Sequence, residues 1–259
     1  MSKFTIIICI FGIIGFDLSF QISSFETRIV GGQDTKIQDV PYQLSLWYKE
    51  KFIGGASIIH LKWAITAAHC VSEKGLNKND LKVGAGNELK ENGIFYKIQT
   101  VIIHKLYNKY TADNDIALLE IQNNFNFGST IRAVNLPEGT FEPSSGLEVI
   151  VSGWGYTQTQ NKKDSDILKK VSILIVNRDD CKANYKKINR PITKNMICAG
   201  DLKQGGKDAC INDSGGPMVA NNKLYGIVSW GNGCGSKNYP GVYSHVANYI
   251  NWIKQNMKI

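Results

Sequence analysis

The chain has 259 residues, of which 43% are hydrophobic and 20% charged, a composition typical of soluble globular proteins that excludes a disordered chain. This length is enough for one or two compact domains. The formal net charge of +8 would allow binding of sulfated glycans or other polyanions, although lysines that only keep the protein soluble explain it more simply. Many Gly, Asn and β-branched residues, with few helical periods, favour an all-β fold.

The N-terminal residues have the pattern of a secretory signal peptide. Lys3 precedes an apolar run over residues 4–16, which covers about half of a membrane span. The run is too short for a membrane anchor, and no later stretch is apolar enough to span a bilayer. We therefore expect residues 1–19 to be removed, with cleavage near residues 15–20, and the protein to be secreted and extracellular.

A single arginine, Arg28, precedes the sequence Ile29-Val30-Gly31-Gly32. This pattern is compatible with proteolytic cleavage after Arg28, which would make residues 20–28 a propeptide and Ile29 a new N-terminus. A plain strand that starts after a basic residue is the alternative. The residues alone leave both interpretations open.

Alternating apolar and polar side chains predict half-buried strands in the first half of the chain, at residues 42–48, 56–60, 63–68 and 101–104. His69 follows the third of these strands, a position where a histidine is more often structural than catalytic. Asp115 directly precedes an apolar run. A buried carboxylate needs a partner, because desolvation of an unpaired charge is costly. His69 is an available partner.

Four further strands are predicted in the second half, at residues 148–152, 171–176, 224–231 and 241–244. Residues 135–146 are rich in Pro, Gly, Ser and Glu, which favours an interdomain connection. Only the C-terminus has a clear helical pattern. One apolar stripe recurs there at i, i+4, i+7 and i+11 and consists of Val246, Ile250, Ile253 and Met257.

The most specific chemical signal is the stretch Asp208-Ala209-Cys210-Ile211-Asn212-Asp213-Ser214-Gly215-Gly216-Pro217. A serine hydroxyl becomes an effective nucleophile only when a base takes its proton and backbone donors stabilise the oxyanion. The two glycines would let the main chain turn sharply beside Ser214. By itself, the stretch is equally compatible with an ordinary turn.

The order His69, Asp115, Ser214 is that of the chymotrypsin-like triad and differs from the orders in α/β-hydrolases and subtilisins. With this order and four further motifs, the chain resembles the trypsin-like serine proteases from Ile29 to the last helix. The motifs are Ile29-Val30-Gly31-Gly32, Thr66-Ala67-Ala68-His69-Cys70, Asp113-Asn114-Asp115-Ile116-Ala117-Leu118 and Ser229-Trp230-Gly231. The resemblance implies an all-β fold of two antiparallel β-barrels, over residues 29–136 and 137–259, with the active site between them and a C-terminal α-helix.

The resemblance also implies a role for each member of the triad. Ser214 would attack the scissile carbonyl, His69 would take and return the proton, and Asp115 would orient the imidazole and stabilise its charged form. The backbone N–H groups of Asn212 and Ser214 would form the oxyanion hole.

Two kinds of pairing follow from the resemblance alone. Cleavage after Arg28 would activate a zymogen, because the freed ammonium of Ile29 would pair with Asp213. Two disulfides would join Cys181 to Cys198 and Cys210 to Cys234.

Asp208 lies where the family places the floor of its primary specificity pocket. A buried anion there selects Arg or Lys side chains, and Gly231 and Gly241 would keep the pocket walls open. The residues expected to bind substrate are Asp208, Ala209, Ser229, Trp230, Gly231 and Gly241.

Three departures from the family pattern stand out. Ile53 replaces a cysteine that the family usually has, so Cys70 loses its expected partner. Asn212 replaces a glycine, and its side chain is expected to project towards substrate residues beyond the scissile bond. Many vertebrate trypsins bind calcium in the loop that corresponds to residues 86–93, but two glutamates flank Lys90 here, so we predict no metal site.

Two functions are compatible with these residues. The first is an active, secreted serine endopeptidase that cleaves after Arg or Lys, which the complete triad and the pocket floor favour. The second is a binding protein with a protease fold and weak or no catalysis, because of Asn212. The expected partners are protein or peptide substrates with Arg or Lys at the cleavage site, and protein protease inhibitors. We expect a monomer with no cofactor, no nucleic acid partner and no membrane contact.

Overall fold

The computed structural model describes residues 31–139, 142–156 and 163–258. The predicted signal peptide, the propeptide, Arg28 and Ile29 lie outside these residues. No helix in the described part is both long and apolar enough to cross a bilayer.

The first half of the chain forms a closed barrel. After the short strand β1 (Gln33–Asp34), its strands are β2 (Gln43–Tyr48), β3 (Lys51–His60), β4 (Trp63–Thr66), β5 (Leu81–Ala85), β6 (Ile94–Ile103) and β7 (Ala117–Ile121). They are antiparallel and close in the order β2-β3-β4-β7-β6-β5. Side chains on one face of each strand point inward, and those that are completely buried include Leu44, Leu46, Ile58, Val83 and Leu119.

The second half forms a barrel of the same type. Its strands are β8 (Glu148–Gly153), β9 (Lys169–Ile175), β10 (Met196–Gly200), β11 (Pro217–Ala220), β12 (Lys223–Trp230) and β13 (Gly241–His245). They follow the order β9-β10-β13-β12-β11-β8, and pairing of β8 with β9 closes the ring. β1 adds to the outside of β9, with Gln33 opposite Lys170. The expected fold of two antiparallel barrels is confirmed; the domain boundary between residues 136 and 137 stays a prediction.

In the part of the chain that the structure describes, three α-helices accompany the barrels: α1 (Ala68–Val71), α2 (Arg178–Lys186) and α3 (Ile250–Met257). The predicted C-terminal stripe is buried along its whole length, although its first turn, Val246–Tyr249, is a 3-10 helix. The predicted strand over residues 63–68 was too long, because the helical turn of α1 begins at Ala68. This turn carries His69.

The expectation that only the C-terminus is helical was wrong, because α2 was missed. Its apolar pattern is weak, since only Cys181 and Tyr185 are buried. A capping signal was nevertheless present. The side chain of Asn177 accepts hydrogen bonds from the N–H groups of Asp179 and Asp180, at 2.8 and 3.4 Å, and these two acidic residues favour the first turn of a helix.

The two barrels share a continuous apolar core that also includes α3. Leu118 from the first barrel, Ile227 from the second and Ile253 from α3 belong to one buried cluster. Polar contacts cross the same boundary: Ser152 Oγ donates to Gln43 Oε1 at 2.7 Å. The site described below is therefore held between two packed units.

Candidate active site

His69 and Asp115 are held together by two hydrogen bonds. The imidazole Nδ1 lies 2.7 Å from Asp115 Oδ2, and the His69 backbone N–H donates to Asp115 Oδ1 at 2.8 Å. The turn of α1 supplies the histidine, while the segment before β7 supplies the aspartate. The geometry makes Nδ1 the nitrogen that faces the carboxylate, so Nε2 is the nitrogen available for proton transfer.

Asp115 is completely buried, and residues of the second barrel supply its remaining hydrogen bonds. Ser229 Oγ on β12 donates to Asp115 Oδ2 at 2.5 Å, and Ser244 Oγ on β13 donates to the Asp115 backbone oxygen at 2.6 Å. These contacts compensate the desolvation of the carboxylate. Ser229, expected only in substrate binding, thus also touches the triad. Ser244 was missed, since only the folded barrel brings its strand to Asp115.

Burial by itself lowers the pKa of the His69 imidazole, because charge is disfavoured away from water. The neighbouring Cys70 and the hydrogen-bonded carboxylate of Asp115 oppose this effect and outweigh it. The pKa of His69 is therefore raised above its ordinary value of 6.5. Cys70 is a free thiol, and it adjoins the histidine directly in sequence.

If His69 must be neutral to accept a proton, kcat/KM should rise with pH as this group deprotonates. Its raised pKa moves that rise above pH 6.5. Replacing Cys70 by alanine removes one raising interaction, so the rise should shift to lower pH. The measurement is kcat/KM for a small arginine ester against pH on both enzymes. Coinciding pH profiles would show that Cys70 does not influence the histidine.

Ser214 lies in a tight turn where the barrels meet. The N–H of Gly55 on β3 donates to the Ser214 backbone oxygen at 2.8 Å. Gly215 has a φ of +81°, and a Cβ at this position would collide with Thr66 and Gly55. A glycine is therefore required here for both conformation and close approach.

The backbone next to Ser214 presents unused donors. Within the described residues, the N–H groups of Asn212 and Ser214 have no acceptor. Asn212 adopts a φ of +70°, a left-handed conformation that asparagine tolerates better than most residues. Its side chain donates to Asp164 Oδ1 at 2.5 Å. Asn212 still borders the cleft that contains His69. Its side-chain amide, however, is hydrogen-bonded to Asp164, a contact that the sequence did not predict.

Two clefts meet at Ser214. One is a cavity of about 270 Å³ whose walls include Asp208, Trp230 and Gly231. The other, of about 360 Å³, is bordered by His69 and Asn212. The predicted substrate-binding residues Asp208, Ala209, Ser229, Trp230, Gly231 and Gly241 all line the first cleft together with Ser214.

Asp208 is an incompletely satisfied carboxylate in this cavity. It is 2% exposed. Its Oδ2 accepts the Gly235 N–H at 3.0 Å, whereas its Oδ1 and the nearby Tyr243 hydroxyl have no partner among the described residues. Burial raises the pKa of Asp208 to about 7. A Cβ at Gly241 would lie 2.6 Å from Asp208 Oδ1, so glycine keeps this oxygen accessible.

Asp213, beside the serine, is 1% exposed. Its carboxylate accepts the backbone N–H groups of Gly155 and Cys210, at 2.8 and 2.9 Å. Burial raises its pKa to about 6. Ile29, the partner that the sequence predicts for it, lies outside the described residues.

The cysteines and the loop at residues 86–93 complete the surroundings. Disulfides join Cys181 to Cys198 and Cys210 to Cys234, and the second of these lies in the wall of the Asp208 cavity. In the loop, Lys90 is buried, and its ammonium donates to the Ser165 backbone oxygen at 3.0 Å. No cluster of three or more potential metal-ligating side chains is found within the described residues.

The family profile described as Trypsin matches residues 29–253. The chain is 44% identical over 239 residues to Trypsin Blo t 3 of Blomia tropicalis, covering 90% of this chain and 88% of that protein. It is 39% identical over 235 residues to Trypsin of Sus scrofa, covering 90% of this chain and 96% of that protein. Trypsin-3 of Homo sapiens is also 39% identical, over 90% of this chain and 73% of that protein.

Proposed function

The chain belongs to the trypsin family and is a trypsin-like serine endopeptidase, and on that premise we propose that it cleaves peptide bonds after arginine, and less efficiently after lysine. It is secreted, and cleavage after Arg28 activates it. Its substrates are proteins and peptides with a basic residue at the cleavage site, and protein protease inhibitors bind the same cleft. It acts as a monomer.

We assign the catalytic steps to Ser214 and His69, which border one cleft, and to Asp115, which accepts a hydrogen bond from His69. Ser214 Oγ attacks the scissile carbonyl carbon while His69 Nε2 takes its proton, and the N–H groups of Asn212 and Ser214 stabilise the oxyanion. Collapse of this intermediate breaks the C–N bond, His69 returns the proton to the leaving amine, and an acyl-enzyme remains. Water, deprotonated by His69, then attacks the ester and releases the acid and Ser214.

The observation that supports cleavage after a basic residue is the floor of the 270 Å³ cavity. Asp208 Oδ1 and the Tyr243 hydroxyl are buried there without partners among the described residues. A carboxylate with a pKa raised by burial gains most from a cation that replaces its lost water. A guanidinium has several donors in a fixed fork, so it can satisfy such a floor directly.

The decisive test is a burst experiment with a titrant that carries a guanidinium group. After cleavage at Arg28, the enzyme should release one equivalent of leaving group rapidly, because the acyl-enzyme forms faster than it hydrolyses. Ser214→Ala is the matched control and should show no burst. A folded, cleaved wild type that binds the titrant without a burst would support the binding-protein alternative. The donor geometry at Asn212 supports the enzyme instead, because this residue retains a free N–H.

The cavity also predicts a preference for arginine over lysine. Ala209 borders Asp208 at a position where many trypsins carry serine, whose hydroxyl can solvate the shorter lysine ammonium. We expect kcat/KM on matched peptides to favour arginine by about tenfold, roughly the contribution of one hydrogen bond to a charged group. Ala209→Ser should raise the lysine value and bring the ratio close to one. Equal values in the wild type would refute the preference.

A further inference from the structure

Arg190, which follows α2, places its guanidinium against Trp230, a wall residue of the Asp208 cavity. The guanidinium carbon lies 4.4 Å from the centroid of the Trp230 ring. Tyr185 packs edge-on against the same ring, at 4.8 Å between centroids, and its hydroxyl donates to the Pro240 backbone oxygen at 2.7 Å. The Arg190 backbone N–H donates to the Tyr185 backbone oxygen at 3.1 Å. The Arg190 guanidinium is therefore held against the Trp230 ring, which is itself fixed by Tyr185.

The charge of Arg190 is not neutralised by its neighbours. Within the described residues, its guanidinium takes part in the contact with Trp230 but in no salt bridge. Arg190 also borders a groove of about 420 Å³, whose other lining residues are Lys182, Lys186, Asn189, Pro191 and Ile192. Among the described residues, the groove lining thus has three cations and no carboxylate, although the Lys182 ammonium lies 3.8 Å from the Asp179 carboxylate beside the groove. Such a surface attracts anionic groups.

The direction of a bound substrate follows from the two clefts at Ser214. The side chain before the scissile bond occupies the Asp208 cavity. The leaving group lies in the other cleft, because His69 must return a proton to it and borders that cleft. The preceding substrate residues therefore extend away from the His69 cleft. Trp230 lies on this side, because it lines the Asp208 cavity but not that cleft. An extended chain advances about 3.3 Å per residue, so the second or third residue before the arginine reaches the far edge of the Trp230 ring.

We propose that Arg190 recognises a carboxylate at the third or fourth substrate position, counting the scissile arginine as the first. The inference rests on the proposed cleavage after arginine and names a substrate class for it: segments with Asp or Glu shortly before the arginine. Contact with the Trp230 face leaves the N–H edge of the guanidinium free for a carboxylate. Lys186 extends the favourable field along the groove.

The test uses three peptides that end in the same arginine and reporter and differ only at the third and fourth positions. These positions carry Glu, the isosteric Gln, or Lys. The wild type should give a Glu-to-Gln ratio of kcat/KM of about five, the size of a partly exposed ion pair, and high salt should reduce it. Arg190→Gln should bring the ratio to one, and Arg190→Glu should favour the Lys peptide. Because each ratio is taken within one enzyme, differences in folded protein cancel.

Lys97→Gln is the matched control, since it removes one positive charge from an exposed position of β6 in the first barrel. This variant should keep the wild-type ratio. A wild-type ratio of one, or the same preference in Arg190→Gln, would overturn the role of Arg190. Either result leaves cleavage after arginine intact. If none of the three peptides is cleaved, the proposed function itself fails.

Discussion

Asp208→Ser should lower kcat/KM for arginine peptides about 10³-fold. The substrate cation would enter a cavity that has lost its buried anion. Removing one partner of a buried ion pair typically costs about 3–5 kcal/mol, which is a factor of roughly 10² to 10³·⁵. Serine retains a small polar side chain, so the variant tests the charge of the floor rather than the presence of a pocket. The preference for basic residues should disappear together with the activity.

The measurement is kcat/KM on peptides that carry Arg, Lys, Leu or Ser before the scissile bond. Glu138→Ser is a suitable control, because it removes the same charge from a side chain that is 91% exposed. This control should be indistinguishable from the wild type on all four peptides. An Asp208→Ser enzyme that still prefers arginine would mean that another anion selects the substrate.

The chemistry of the site could be predicted from the sequence because its signals are local. The residues around Ser214, the His69-Cys70 pair and Asp115 each lie in a short motif, and the order of these motifs excluded the other triad families. Ile53 likewise indicated that Cys70 lacks its usual partner, and Cys70 is a free thiol.

The contacts that support the site could not be predicted, because they join residues that are distant in sequence. Ser244 donates a hydrogen bond to the backbone of Asp115, 129 positions away in the sequence. Asp164 accepts a hydrogen bond from the side chain of Asn212, 48 positions away. Neither residue belongs to a motif. Periodicity also failed at α2, whose few buried residues provide only a weak apolar stripe. These contacts depend on the sheet register and on the interface between the barrels. A short stretch of sequence determines neither of the two.

Asp213 is the predicted partner of the ammonium that cleavage after Arg28 would free at Ile29. Its carboxylate is buried and accepts two backbone N–H groups, and no cation pairs with it within the described residues. Burial raises its pKa from 3.8 to about 6, which corresponds to a penalty of about 3 kcal/mol for ionisation. A new ammonium at Ile29 would remove the penalty and stabilise the turn that carries Asn212 and Ser214.

Arg28→Gln should therefore give a precursor whose kcat/KM is at least about 10²-fold below that of the cleaved enzyme, since 3 kcal/mol corresponds to roughly that factor. Arg28→Lys is the matched control, because a trypsin-like activator can still cleave it, and it should reach full activity. Both proteins are treated with the same activating protease, checked for cleavage by N-terminal sequencing and assayed on an arginine peptide.

A double variant separates loss of the ion pair from a general loss of structure. In the cleaved enzyme, Asp213→Asn should lower kcat/KM by about the same factor as the failure to cleave after Arg28. Each change removes one partner of the same proposed ion pair. The double variant Arg28→Gln/Asp213→Asn should then have a kcat/KM no lower than that of either single variant, because two changes that remove the same interaction are not additive. Multiplying losses would show that Ile29 and Asp213 act separately. Full activity of uncleaved Arg28→Gln would refute activation by this cleavage, because the turn at Ser214 would then be stable without the new ammonium.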